Sequence, residues 1–260
     1  MGKSNQSTQE INSQAQNPLG TAPVGGLIAK FAIPAIISML VSAMYNIVDQ
    51  IFIGQGVGML GNAATNVAFP VTTIATALAL LLGIGGASNY NLEMGAGQEK
   101  KASGIAGTAL SSLVISGLIL AVIALVFLKP LLTLFGATTD VMPYAVDYTG
   151  ITALGLPFYI LSVGGNHVVR ADRSPTYSMT CIMIGAIINT ILDPVFIFVF
   201  GWGIKGAAWA TVIGQVVSGV LVIVYFWKFR NMYLTGAMLK PKMPYLKAII
   251  SLGLASCINQ

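Results

Sequence analysis

The chain has 260 residues, of which 55% are hydrophobic and only 8% charged, with a formal net charge of +5. A soluble domain carries about 25% charged residues, so a soluble enzyme is excluded. A nucleic-acid surface is excluded too, because the lysines and arginines sit in short segments between apolar runs, with no basic face or stacking platform.

In chain order, residues 1–25 are rich in Gln, Asn, Ser, Thr and Gly. They lack the apolar core of a signal peptide and predict a disordered cytoplasmic tail. Six apolar runs follow, each near the roughly 20 residues that a spanning helix needs: 27–53, 63–87, 103–128, 144–169, 177–200 and 207–227. They are separated by GQGVGMLGN, EMGAGQEKK, LKP with FGATTD, RADRSP and GWGIKG. A basic linker over 228–247 leads to a seventh run that begins near Tyr245. The expected fold is an all-α integral membrane protein: a six-helix bundle over 26–229, then a linker and the start of a second lobe over 230–260. The seventh run is too short to cross a bilayer, which predicts that the chain is the first part of a longer protein. IAKFAIPAIIS (28–38) and IISLGLASCIN (249–259) have similar apolar spacing, as expected where a second bundle repeats the first.

Orientation follows from the basic residues. With the N-terminus in the cytoplasm, eleven lie on the inner side: Lys3, Lys30, Lys100, Lys101, Arg170, Arg173, Lys228, Arg230, Lys240, Lys242 and Lys247. Only Lys129 and Lys205 lie outside. Arg170 and Arg173, in the turn RADRSPTYS, read as topology anchors. The expected location is a plasma membrane, the inner membrane of a prokaryote.

Two aspartates interrupt the apolar runs. A carboxylate at bilayer depth costs about 2.5–3.5 kcal/mol on insertion scales, and no lysine or arginine lies deep in any run to pair with either. In MYNIVDQIFIG, Asn46 and Asp49 are three apart and share a helix face. In NTILDP, Asn189 and Asp193 are four apart, one above the other. Pro194 cannot donate a backbone N–H, and its ring clashes with the carbonyl of Thr190. Freed carbonyls beside a carboxylate in a broken helix are the materials of a proton or cation site. The competing readings are a carboxylate reaching the outer interface for Asp49, and a capped kink for Asp193. Burial disfavours the charged form of a carboxyl group, which suits a proton carrier. Sodium is the alternative, held at Asp193 and Asn189 with oxygen from Thr211 and a backbone carbonyl. Pro34 predicts a second hinge, in the helix that carries Asp49. The small residues Gly104, Gly107, Ser112, Ser116, Gly117 and Ala121 predict close-packing faces on the third span.

Catalytic chemistry is not visible. HExxH, GxSxG and GxxxxGK[ST] are absent, and the glycine-rich turns, including the GxGxxG matches at 56–61 and 201–206, lie between apolar spans, the wrong context for nucleotide phosphates. Cys181 and Cys257 form no CxxC, and the single histidine, His167, builds no zinc cluster. The expectation is a protein that is not an enzyme, with no cofactor and no partner nucleic acid.

Proline in the first span, then Asn46-Ile-Val-Asp49-Gln-Ile-Phe-Ile-Gly54, Asn189-Thr-Ile-Leu-Asp193-Pro194 and Gly203-Ile-Lys-Gly206-Ala-Ala-Trp-Ala-Thr211, resembles multidrug and toxic compound extrusion (MATE) transporters. The likeness runs from about Gly26 to the end. It implies the N-terminal half of a twelve-helix protein, two six-helix lobes around a central cavity. It also implies export of small, cationic amphiphilic compounds or drugs in antiport with H+ or Na+. The N-lobe ion site of the family maps to Asp49, Asn189, Asp193 and Thr211, with Tyr148 and Asn166 from the fourth span. By counting, Tyr148 lies at the outer depth of Asp193, and Asn166 lies nearer the cytoplasm. Two positions depart from the pattern. Arg173 stands where the family usually has glycine in the turn after the fourth span, and Ala255 stands for the proline of the seventh. The second lobe that the resemblance implies is not among these residues, so full alternating access is not expected of them alone. A lipid-linked saccharide flippase of the same superfamily is the alternative, disfavoured by the lack of mid-membrane arginine or lysine. A retinal protein lacks its lysine in the seventh run, and a non-transporting membrane fragment is the third reading.

Overall fold

The computed structural model describes residues 24–232 and 234–258. Residues 1–23 of the expected tail lie outside the described residues, and 24 and 25 already belong to the first helix. Among the described residues there are eight α-helices: α1 (Val24–Gly56), α2 (Met59–Gly95), α3 (Glu99–Val126), α4 (Leu128–Leu134), α5 (Met142–Ala171), α6 (Pro175–Pro194), α7 (Ile204–Val224) and α8 (Met243–Ile258). Five-residue π-turns, Val195–Val199 and Tyr225–Phe229, extend α6 and α7. Among the described residues there is no strand, and six helices are long and apolar enough to cross a membrane. Helix is the expected answer in lipid, since each backbone N–H and C=O must be satisfied within its own segment.

The helices outrun the apolar stretches, because polar flanks such as Asn89–Gly95 continue the hydrogen-bond ladder beyond the hydrocarbon. LKP, expected as punctuation, instead begins the short helix α4. The expected start of the seventh helix near Tyr245 falls at Met243. Pro194 does not break its helix. The chain passes through it and absorbs the lost hydrogen bond in the wider π-turn that follows. Pro34 likewise lies inside α1, where the Ser38 hydroxyl donates to the Pro34 carbonyl at 2.7 Å.

Helix α5 is central, packing against α2, α7, α3 and α6. Helix α1 packs mainly on α6, far away in sequence, and only lightly on its chain neighbour α2. This swap brings Asp49 to Asp193. The third-span small residues pack as expected: Gly104, Gly107, Ser112, Gly117 and Ala121 are buried and Ser116 half-buried, with Gly117 against Pro157 of α5. Helices α6 and α7 cross where Gly185 faces Gly214. A Cβ built on Gly185 lies 2.9 Å from the Gly214 carbonyl oxygen, and one on Gly214 lies 2.8 Å from the Gly185 oxygen. Only glycine permits this approach, which sets Asn189, one turn along, against α7.

A polar hub closes the end of the bundle opposite Asp193. The buried Asp172 carboxylate accepts from the hydroxyls of Tyr90 (3.0 Å) and Tyr225 (2.8 Å) and from the backbone N–H of Asn231 (2.7 Å). It thereby ties α2, α5, α7 and the following linker. The next residue, Arg173, has φ +64, a left-handed conformation that costs a non-glycine residue about 1–2 kcal/mol.

Two stability predictions follow from these contacts. Gly214→Val is expected to destabilise by about 1–3 kcal/mol through overpacking, whereas Gly95→Ala, which meets nothing within 4 Å, is neutral in the same thermal-unfolding series in detergent. Asp172→Asn loses acceptor capacity toward three donors at about 1–3 kcal/mol each and lowers the unfolding midpoint, while Arg173→Gly raises it.

Candidate ion and substrate site

Asp49, Asn189 and Asp193 are all buried, with 7%, 3% and 0% exposure. Asp49 stands seven residues before the end of α1, a depth of about 10 Å at 1.5 Å per residue, because the helix runs to Gly56 rather than Ile53. That places it deeper than an interfacial carboxylate. Its carboxyl group lies within hydrogen-bonding reach of the Asp193 carboxyl and of the Gln50 side chain, yet its Oδ1 has no donor among the described residues. Neither aspartate forms an ion pair; the pairs among the described residues are Lys101–Glu93 (2.7 Å) and Lys205–Asp147 (3.4 Å). Two carboxyl groups in contact cannot both be ionised without a counter-charge. The arrangement therefore requires a shared proton or a bound cation.

The neighbours complete the cluster. With its amide oriented to satisfy both ends, Asn189 donates to Asp193 Oδ2 at 3.3 Å and accepts from the Thr211 backbone N–H at 3.2 Å. The side chains of Thr211 and Tyr148 lie beside one another. Asp49, Asn189, Asp193, Thr211 and Tyr148 thus come together from α1, α5, α6 and α7. Asn166 does not join them. Its Nδ2 donates to the Ser162 carbonyl at 2.8 Å, and its Oδ1 is buried without a partner. Asn46 turns away from Asp49, exposed, and donates to the Ser42 carbonyl at 2.7 Å.

Asn166 lines a separate cavity of about 420 Å³ between α1, α5, α6 and α7. Asn189 and Thr211 form part of its wall, followed by Tyr45, Tyr159, Gln215, and the paired hydroxyls of Ser162 and Ser218, 2.6 Å apart. At the far end are His167 and Arg170. Arg170 is therefore not a loop anchor: it belongs to the last turn of α5 and faces inward, its Nε donating to the buried Ser178 hydroxyl at 3.0 Å. Sequence reasoning missed Gln50, which accepts from Thr65 (3.1 Å), and Tyr45. Their only sequence signal is polarity inside an apolar span. No group of three or more His, Cys, Asp or Glu side chains able to hold a metal occurs among the described residues.

The architecture is that of a multi-pass membrane protein with a polar core. A family model described as MatE matches residues 34–195, and the chain belongs to this family. It is 29% identical to the multidrug export protein MepA of Staphylococcus haemolyticus over 225 residues, covering 86% of this chain and 50% of that protein. It is 33% identical to an FAD transporter of Shewanella oneidensis over 215 residues, 78% of this chain and 47% of that protein. A crystal structure of MATE in the straight conformation matches with a TM-score of 0.83 at 28% identity, covering 90% of this chain and 52% of that one. The fold expected from sequence, the N-lobe of a MATE-like transporter, is the fold observed. The chain spans about half the length of the relatives it matches.

If the carboxyl pair shares a proton, dicyclohexylcarbodiimide, which attacks protonated carboxyls in apolar surroundings, is expected to modify Asp49 or Asp193. The half-exposed Asp147, paired with Lys205, serves as the unreactive comparison in a peptide mass map. Modification of Asp147 alone contradicts the shared proton.

Proposed function

We propose that this chain forms the N-terminal lobe of a secondary active efflux transporter that exchanges protons for small amphiphilic organic molecules. In this reading it is not an enzyme and needs no cofactor, and a second lobe is its partner. The lobe lies in the plasma membrane of a prokaryote with the N-terminus cytoplasmic, an orientation supported by the eleven-to-two division of basic residues.

The observation that carries the reading is the contact between Asp49 and Asp193, neither of which has an ion-pair partner among the described residues. A titratable pair inside a bilayer is expensive, and its use is to bind and release an ion. The orientation of Asn189 supports a proton over sodium. Its amide N–H faces Asp193 and its oxygen is occupied by Thr211, so it offers a carboxylate a donor and withholds the oxygen that sodium requires. Tyr148 and Thr211 hold the wall of the site in place, while Asn166 belongs to the cargo cavity. Pro34 and Pro194 serve as hinges, for the helices that carry the two aspartates. Organic cations fit the end of the cavity nearest the carboxyl pair, with Tyr45 and Tyr159 offering aromatic faces. Relatives named for multidrug export and for FAD transport indicate that the family scaffold serves more than one cargo.

The test is ethidium efflux from energised vesicles carrying the intact gene, with proton and sodium gradients imposed separately. Wild type is expected to export on a proton gradient alone, Asp193→Asn to lose at least tenfold of the rate, and Asp49→Asn to be impaired. Unchanged efflux in both variants removes the ion site, and sodium-driven efflux overturns the choice of ion.

A further inference from the structure

The end of the cavity away from the carboxyl pair carries a positive group. Neither aspartate lines the cavity, and among the described residues Arg170 is the side chain in its wall with a permanent charge. Two arginines stand three residues apart at this end, and they behave differently. Arg173 is exposed, as a topology anchor should be. Arg170 turns into the bundle, oriented by Ser178, which is fully buried. Among the described residues it has no carboxylate partner, so its two terminal amino groups remain available to an acceptor. His167 stands one turn earlier on the same helix face and also lines the cavity.

We infer that this end of the cavity is a carboxylate-accepting subsite, with the Arg170 guanidinium as the anchor and His167 beside it. The occupant is an aromatic amphiphile that carries a carboxylate. The planar guanidinium fork matches a carboxylate through paired hydrogen bonds. The low-polarity surroundings strengthen that contact relative to water. From Tyr159 to Arg170 the α5 wall rises about 16 Å, long enough for an aromatic body to lie along Tyr45 and Tyr159 with its acid group at Arg170. Such a volume, about 420 Å³, is within the roughly 300–1,000 Å³ of small-molecule sites. The unpartnered Asn166 Oδ1, in the same wall, is an acceptor for an N–H on the ligand. This inference rests on the reading of the cavity as the cargo site.

The experiment is fluorescence anisotropy on the purified intact transporter with two dyes, carboxyfluorescein for the acid and ethidium for the cation. Wild type is expected to bind both. Arg170→Gln should weaken carboxyfluorescein at least tenfold and leave ethidium within about twofold, and Arg170→Lys should restore most of the loss. On the wild-type protein, where folding is not in question, carboxyfluorescein should slow phenylglyoxal modification of Arg170 but not of the exposed Arg230. Ethidium binding without carboxyfluorescein binding overturns the subsite alone, as does equal loss of both dyes in Arg170→Gln combined with no protection of Arg170. Failure of both dyes to bind wild type overturns the cargo cavity itself, and the subsite with it.

Discussion

Two carboxyl groups touch inside an apolar bundle with no ion-pair partner among the described residues, and the architecture answers to that contact. Each would cost several kcal/mol at bilayer depth if left charged and alone. The contact is tolerable only with a proton or a cation between the oxygens, so the occupancy of this point is bound to the energy of α1 against α6. Few other contacts of comparable strength hold α1: it packs lightly on α2, and much of its remaining surface, including Ile36, Leu40 and Ile47, is exposed and apolar. The helix that carries Asp49 is thus held to the bundle partly by the charge state of this carboxyl pair.

Around this point the bundle divides its polar groups by purpose. Glycine crossings at Gly185 and Gly214 draw α6 and α7 close enough for Asn189 to reach the Thr211 backbone. At the opposite end the Asp172 hub is fully satisfied by tyrosine hydroxyls and a backbone N–H, which makes it a rigid clamp. The contrast is informative. Asp172 has donors on its oxygens, whereas Asp49 Oδ1 has none. Satisfied carboxylates hold structure, and unsatisfied ones await a ligand.

Much of this was legible in the sequence, for a definite reason. Hydropathy marks spans because lipid forbids unpaired backbone, and polar residues in apolar runs stand out because they are costly; Asp49, Asn189 and Asp193 announced themselves that way. Thr211 stood out as an oxygen ligand for sodium, whereas Tyr148 came from the family likeness, since a tyrosine near a span end resembles an interfacial anchor. Contacts made over long separations were not legible. Nothing local says that α1 leaves its chain neighbour for α6, that Pro194 is absorbed by a π-turn, or that Arg170 turns inward while Arg173 turns out. Asp172 was hidden among charges that hydropathy assigns to a loop. The glycine expected from family likeness at Arg173 has its physical basis in the φ of +64 at that residue.

Asn189 and Thr211 belong to both parts of the site. They form the wall of the cavity and at the same time hold Asp193. A ligand that reaches the end nearest the carboxyl pair must press on the two residues that orient that pair, and a change of proton occupancy must alter the hydrogen bond that Asn189 donates. Coupling between two ligands requires only that each bind the two states of a shared element with different affinity. In the proposed exchange that element is the amide of Asn189, bonded to Asp193 on one side and to α7 on the other. The Arg170 pole lies at the opposite end of the cavity, so an acid group held there places the cargo without competing for the proton. Only the end of the cargo that reaches Asn189 is then linked to the ion, and antiport needs no direct contact between cargo and aspartate.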